Sequence, residues 1–211
     1  GQNVFMLTSF NPGSGKSFLA MNIAMSFAIK KKRILVIDGD LRHGSTSSYV
    51  DSPKTGLSDY LGNRVSDWKE IIVKDEKYDN LHIIPIGTVP PNPTELLEDG
   101  KLATLIEVLR SEYDYIFIDC PPIDIVADAQ IIEKLADRTV FVVRSGLLDR
   151  SMLPELENIY QEKRFKNLSV ILNGTESAGG RYGYRYGYRN GYSSYYGNKG
   201  KMGGGKWMVI K

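Results

Sequence analysis

Six short apolar runs govern what this chain can fold into: Val4–Thr8, Arg33–Asp38, Leu81–Ile86, Tyr115–Asp119, Thr139–Arg144 and Leu168–Asn173. Each is brief, rich in Ile, Val or Phe, and bounded by Gly, Pro or Asp, as buried strands are. Helical patterns lie between them at Lys16–Ile29, Pro93–Arg110, Asp128–Leu135 and Ser151–Lys163. In the first, Phe18, Leu19, Asn22, Ile23, Met25, Ser26 and Ile29 predict a broad buried face. Arg42–Asn80 is less regular, with short helical pieces around Gly56–Leu61 and Asp67–Val73. Strand and helix alternating in this way predict an α/β fold, a mostly parallel sheet with helices on both faces. Ligands of such sheets sit beyond the carboxyl ends of the strands.

The 211 residues fit one domain. The lone Cys120 excludes an internal disulfide framework and needs no catalytic role. No run of about 18 apolar residues and no signal peptide is present, so a reducing cytosol is the expected compartment. The net charge of +2 conceals an asymmetry: Ser177–Lys211 carries seven Lys and Arg and no acid, which leaves residues 1–176 at −5. Gly179–Gly205 also concentrates 10 of the 21 glycines and 7 of the 13 tyrosines. Without hydrophobic periodicity, and with that much backbone freedom, this segment is expected to be a flexible tail.

Three motifs stand at strand ends. Asn11-Pro12-Gly13-Ser14-Gly15-Lys16-Ser17 follows the first strand and opens the first helix. Such a loop turns backbone N–H groups toward phosphate oxygens, and the helix N-terminus adds its positive end. Lys16 would reach the β- and γ-phosphates and Ser17 would ligate Mg²⁺. Phe10 stands where the usual pattern has its first glycine, and the alternative is a plain strand-to-helix turn with an exposed lysine. Ile34–Arg42 delivers Asp38, Asp40 and Arg42 to the same edge. Two carboxylates two residues apart in extended backbone project to one side, and a shared cation offsets their repulsion. The alternative is a solvated acidic turn with Arg42 pairing one aspartate. Tyr115–Pro122 ends its apolar run in Asp119, placed as a magnesium-organising acid, or else as a cap on the following turn. The three together favour a site for a nucleotide and Mg²⁺.

In these motifs the chain resembles the bacterial tyrosine kinases of capsule and exopolysaccharide synthesis (BY-kinases), a P-loop family. Gly13–Ser17 matches its Walker A loop, Asp38–Arg42 its D-x-D-x-R segment (Walker A′), and Asp119–Pro122 its Walker B. Pro90–Leu97 and the tyrosine cluster are also similar to family features. The resemblance implies a P-loop kinase domain over residues 1–176, with ATP and Mg²⁺ as cofactors. It implies nucleotide contacts from Asn11 to Phe18 and from Asn173, the last toward adenine, and metal contacts from Ser17, Asp38 and Asp119. Lys16, Asp38, Asp40 and Arg42 would serve phosphotransfer, with either aspartate as base. Tyr182, Tyr184, Tyr186, Tyr188, Tyr192, Tyr195 and Tyr196 would be phosphoacceptors in residues 177–211.

By the same resemblance the full protein would form ring-like homo-oligomers at the inner face of the bacterial membrane, with a membrane activator segment that this chain lacks. The family's upstream E-x-x-R-x-x-R helix is also missing, so the chain reads as a truncated kinase. Lys206–Lys211 matches no family feature. Partitioning and septum-site ATPases are the nearest alternative, but they usually carry a second lysine where Asn11 stands. An RNA-associated ATP-binding protein using the Arg/Gly/Tyr tail is a further alternative. On the kinase reading no nucleic-acid partner is expected.

Overall fold

In the strands of this protein neighbouring residues serve opposite faces, and the sheet is buried from both sides. Along β1 (Val4–Thr8), Val4 and Met6 join one core cluster and Leu7 the other; along β2 (Ile34–Asp38), Leu35 and Ile37 face one side, Ile34 and Val36 the other. The computed structural model describes residues 2–123 and 127–175; the tail proposed for 177–211, with its seven tyrosines, lies outside them. The remaining strands are β3 (Val73–Lys74), β4 (Leu81–Ile84), β5 (Tyr115–Asp119), β6 (Arg138–Arg144) and β7 (Ser169–Asn173). Their order is β3-β4-β2-β5-β1-β6-β7, and every pair is parallel except β3–β4.

Helix α1 (Lys16–Ile29) covers one face. The opposite face is covered by α2 (Leu57–Leu61), α3 (Pro93–Glu98), α4 (Lys101–Glu112), α5 (Asp128–Glu133) and α6 (Leu153–Gln161). β1 lies between β5 and β6, so the chain leaves it toward β2 on one side and later builds β6 on the other. Connections diverging from a central strand open a crevice at its carboxyl end, where the glycine-rich loop sits.

Three expectations need correction. Helix α1 packs through Leu19, Ala20, Met21, Ala24 and Ala28, while Phe18 and Ile29 are about half exposed, at 45% and 48%. Small side chains at i, i+4 and i+8 let the helix lie close to the sheet. The single helix expected over Pro93–Arg110 is two, divided at Asp99–Gly100, where Gly100 adopts φ +79°. A residue in the left-handed region ends a helix, and glycine takes that conformation without a Cβ penalty. The helical piece expected over Asp67–Val73 is a 3₁₀ turn, Trp68–Ile71, followed by the short strand β3.

Candidate nucleotide site at the strand ends

Two glycines shape the loop after β1, Gly13 at φ +73° and Gly15 at φ +94°. The Ser14 and Ser9 hydroxyls both donate to the Asn11 carbonyl at 2.8 Å, closing the turn on itself. Phe10 is buried, with its ring 4.8 Å from that of Phe141 on β6. An aromatic replaces the usual first glycine here because the position points into the core. Side chains from the strands on the other side of β1 brace the loop: Arg144 donates to the Gly13 carbonyl at 2.6 Å, and Asn173 Nδ2 donates to the Ser14 carbonyl at 2.8 Å. Helix α1 starts at Lys16 without a side-chain cap, so its first amides are available to an anion.

A Cβ on Gly15 would sit 2.3 Å from the Asn173 amide nitrogen, in a backbone conformation that L-residues rarely adopt. Gly15→Ala should therefore push Asn173 off the loop and weaken ADP binding by at least about tenfold, roughly 1.4 kcal/mol. Titration with a fluorescent ADP checks this, with circular dichroism to confirm the fold.

Lys16 lies over the loop, buried, with Nζ 3.1 Å from Ser9 Oγ. Burial lowers its pKa, and the negative fields of Asp119 and Asp40 oppose that. Asp38 and Asp119 end adjacent parallel strands in register, so two carboxylates meet where β2 and β5 stop. Both are almost fully buried. Asp38 Oδ2 accepts from the Ser47 amide at 2.6 Å and the Ser47 hydroxyl at 2.7 Å, and Asp119 Oδ2 accepts from Thr46 Oγ1 at 2.7 Å. The other oxygen of each, Oδ1, is buried with no hydrogen-bond partner. Burial first, then the field of Asp119, raises the Asp38 pKa to about 7. Burial also raises that of Asp119, against the nearby Ser17 hydroxyl, the hydrogen bond from Thr46 and the charge of Lys16.

Two unsatisfied carboxylate oxygens beside a serine hydroxyl fit a hard divalent cation. Among the described residues no group of three or more His, Cys, Asp or Glu could hold a metal alone. Ser17 and phosphate oxygens would have to complete the shell around Asp38 and Asp119, as Mg²⁺ bound with a nucleotide requires. The carboxylate that meets Asp38 across the sheet is thus Asp119, whereas the spacing pointed to Asp40. Asp40 lies past the strand and is taken up by its own turn, accepting from the Arg42 amide at 3.2 Å, the His43 amide at 3.3 Å and His43 Nδ1 at 3.2 Å. Its charge still acts on both Lys16 and Asp38.

The Arg42 guanidinium pairs with neither of these aspartates. Its Nε lies 3.3 Å from Asp128 Oδ2, and its Nη2 donates to Thr94 Oγ1 at 3.0 Å. Thr94 in turn donates to Asp128 Oδ1 at 2.7 Å. The guanidinium thereby ties the β2 edge to the starts of α3 and α5, a positioning task. Asn173 braces the loop through Ser14, and Phe18 is exposed on the first turn of α1. Thr46, Ser47, Thr94, Asp128 and Arg144 join the site although no sequence motif marks them as site residues. A Ser/Thr run, Ser45–Ser48, directly after two costly acids was the available signal for the first pair.

A parallel sheet with this loop, lysine and pair of strand-end carboxylates defines a P-loop nucleotide-binding domain. A family model described as an AAA domain matches residues 3–147. The tyrosine-protein kinase CpsD of Streptococcus pneumoniae is 35% identical over 200 residues, 94% of this chain and 84% of the relative. The kinase domain of the Escherichia coli tyrosine kinase Etk superposes with a TM-score of 0.77 at 32% identity, covering 89% of this chain and 72% of that one. This chain belongs to the bacterial tyrosine-protein kinase family. The septum-site protein MinD of Pyrococcus horikoshii, solved with Mg-ADP, shares only the fold: TM-score 0.66, 21% identity, 82% of this chain and 70% of that one. Among the described residues no helix is long and apolar enough to cross a membrane.

Proposed function

We propose that this kinase transfers the γ-phosphoryl group of ATP to tyrosines of its own segment 177–211, in trans, and so regulates exopolysaccharide or capsule synthesis and export. The observation that carries the reading is the convergence of Lys16, Ser17 and two buried carboxylates with orphaned oxygens beside a loop built for phosphate. A tyrosine oxygen attacks the γ-phosphorus in line, the bond to the β-bridging oxygen breaks, and ADP leaves. Lys16 stabilises charge on the transferring group. Asp38 or Asp40 orients the phenol and accepts its proton, since a free phenol pKa near 10 makes a base useful. Mg²⁺, held by Ser17, Asp38 and Asp119, would supply charge neutralisation at the phosphates.

Tyr182, Tyr184, Tyr186, Tyr188, Tyr192, Tyr195 and Tyr196 are the proposed acceptors. Counted from Gly174, Tyr182 and Tyr196 reach at most about 27 and 75 Å at roughly 3.4 Å per residue, so contour length permits a neighbour's site. At about −1.5 to −2 charges per phosphate, modification turns a basic segment strongly acidic. Such a change would alter assembly with neighbouring subunits and with a membrane activator at the inner face of the cell membrane.

The test mixes a Lys16→Met chain that keeps its tyrosines with an active chain whose seven tail tyrosines are phenylalanine, in γ-labelled ATP and Mg²⁺. The expected result is label on the inactive partner within residues 177–211, at a rate rising with protein concentration. Label only on active chains that carry their own tyrosines, independent of concentration, would rule out transfer in trans. Release of phosphate with no labelled chain would instead identify an ATPase switch.

A further inference from the structure

Two consecutive residues hold the two buried carboxylates of the site. Thr46 Oγ1 donates to Asp119 Oδ2 at 2.7 Å, and Ser47 donates both its amide and its hydroxyl to Asp38 Oδ2 at 2.6 and 2.7 Å. Both residues are buried, at 0% and 1% exposure. The Ser47 hydroxyl also accepts the Ile86 amide at 2.8 Å, which leaves its single proton for Asp38. Each donor takes the same oxygen of its carboxylate and leaves Oδ1 without a partner.

A carboxylate at the end of a strand can rotate about its last bond, presenting either oxygen, both or neither to a ligand. Donors fixed on one oxygen select a single orientation. Asp38 and Asp119 are in register on adjacent strands, and Thr46 and Ser47 are adjacent in sequence, so one loop sets both carboxylates at once. Burial alone asks only that the carboxylates be hydrogen-bonded somewhere. It does not explain why each of two fully buried carboxylates keeps one oxygen without a partner, in a site where Ser17 and Lys16 act on Asp119.

We infer that Thr46 and Ser47 are positioning residues that turn the Oδ1 atoms of Asp119 and Asp38 toward a divalent cation bound with the nucleotide. The inference rests on the reading of this site as a magnesium–nucleotide site. It assigns the loop after β2 a task that neither the phosphate loop nor the strand-end aspartates perform. Partners that orient metal-binding groups typically contribute about 10–100-fold to metal affinity, although they never touch the metal.

The experiment uses the full chain and measures the dissociation constant of a fluorescent ADP twice, with saturating Mg²⁺ and with EDTA. The ratio of the two constants is the gain due to the cation. Thr46→Val keeps the shape and removes the hydroxyl, whereas Thr46→Ser keeps the hydroxyl. Thr46→Val should lose about tenfold or more of that gain while its affinity in EDTA stays within about twofold of the parent, and Thr46→Ser should retain the gain. Ser47→Ala, which keeps the backbone N–H on Asp38, should lose a smaller part. A Thr46→Val chain with the full gain overturns the inference, and so does one whose affinity falls equally with and without Mg²⁺, because that pattern reports general damage. No gain in the parent chain would overturn the magnesium–nucleotide reading itself, and the inference with it.

Discussion

Replacing Lys16 by methionine should lower autophosphorylation by at least about 10²–10³-fold while the chain stays folded, the loss expected when one charged donor to the transferring group is removed. The side chain is buried and donates to Ser9 Oγ at 3.1 Å, yet burial holds its pKa below the ordinary lysine range. An ammonium kept in such a place awaits more negative charge than Asp119 and Asp40 provide. Methionine matches the length of the stem and is adaptable in packing. Ser9 keeps its hydrogen bond to the Asn11 carbonyl at 2.8 Å, so no polar atom is stranded by the change. Asp119 loses a cation that lowers its pKa, which offsets part of the relief from removing a buried charge. Thermal unfolding within a few degrees of the parent, together with loss of label from γ-labelled ATP, is the expected pair of measurements. Near-parental labelling in a folded variant would remove Lys16 from its role at the phosphates.

The frame of this site was readable because strand ends announce themselves. β1 and β5 lie where the apolar runs placed them, residue for residue, since a short run of large apolar residues ending in a polar one has few other uses. Helix α1 was located correctly but its buried face was not. Hydrophobicity ranks Phe18 and Ile29 above Ala20, Ala24 and Ala28, whereas close approach to a sheet favours the smaller side chains. Gly100 marks the break between α3 and α4, whereas the apolar pattern runs on through it from Leu96 and Leu97 to Leu102 and Leu105. β3 is two residues long and gave no periodicity to read.

At the site, the residues legible in sequence were those whose chemistry is costly in place, such as Asp38, Asp119 and Lys16. Their partners were not legible, because contact depends on which strands become neighbours. Asp38 pairs in register with Asp119, far later in the chain, only because β5 inserts beside β2. Once that adjacency is known, Thr46 beneath Asp119 and Ser47 beneath Asp38 follow from the need to satisfy buried carboxylates. The pairing of Arg42 with Asp128, 86 positions away, follows from the same kind of long-range assembly.

Asp38→Asn should abolish most phosphotransfer and yet stabilise the metal-free chain, by an amount that depends on pH. Burial and Asp119 raise the Asp38 pKa in the folded state to about 7, above its ordinary value of 3.8. Below about pH 4 both folded and unfolded chains hold the proton, so aspartate and asparagine differ little. Between about pH 4 and 7 the unfolded carboxyl ionises while the folded one stays protonated, and stability declines as pH rises. Above about pH 7 the deficit is constant. Asparagine is neutral throughout and escapes it. At about 1.4 kcal/mol per pKa unit the gain at pH 8 is on the order of a few kcal/mol, several degrees in Tm for a chain of this size. The carbonyl of the new side-chain amide can still accept from both the amide and the hydroxyl of Ser47. Adding ADP and Mg²⁺ should reverse the order, because the parent gains stability from binding and the variant has lost a metal-facing oxygen. Thermal melts of both chains from pH 4 to 8, with and without Mg-ADP, test each part. A metal-free variant that is less stable than the parent at pH 8, or whose advantage is the same at pH 4, would mean that Asp38 is not a carboxylate held at a cost for a cation.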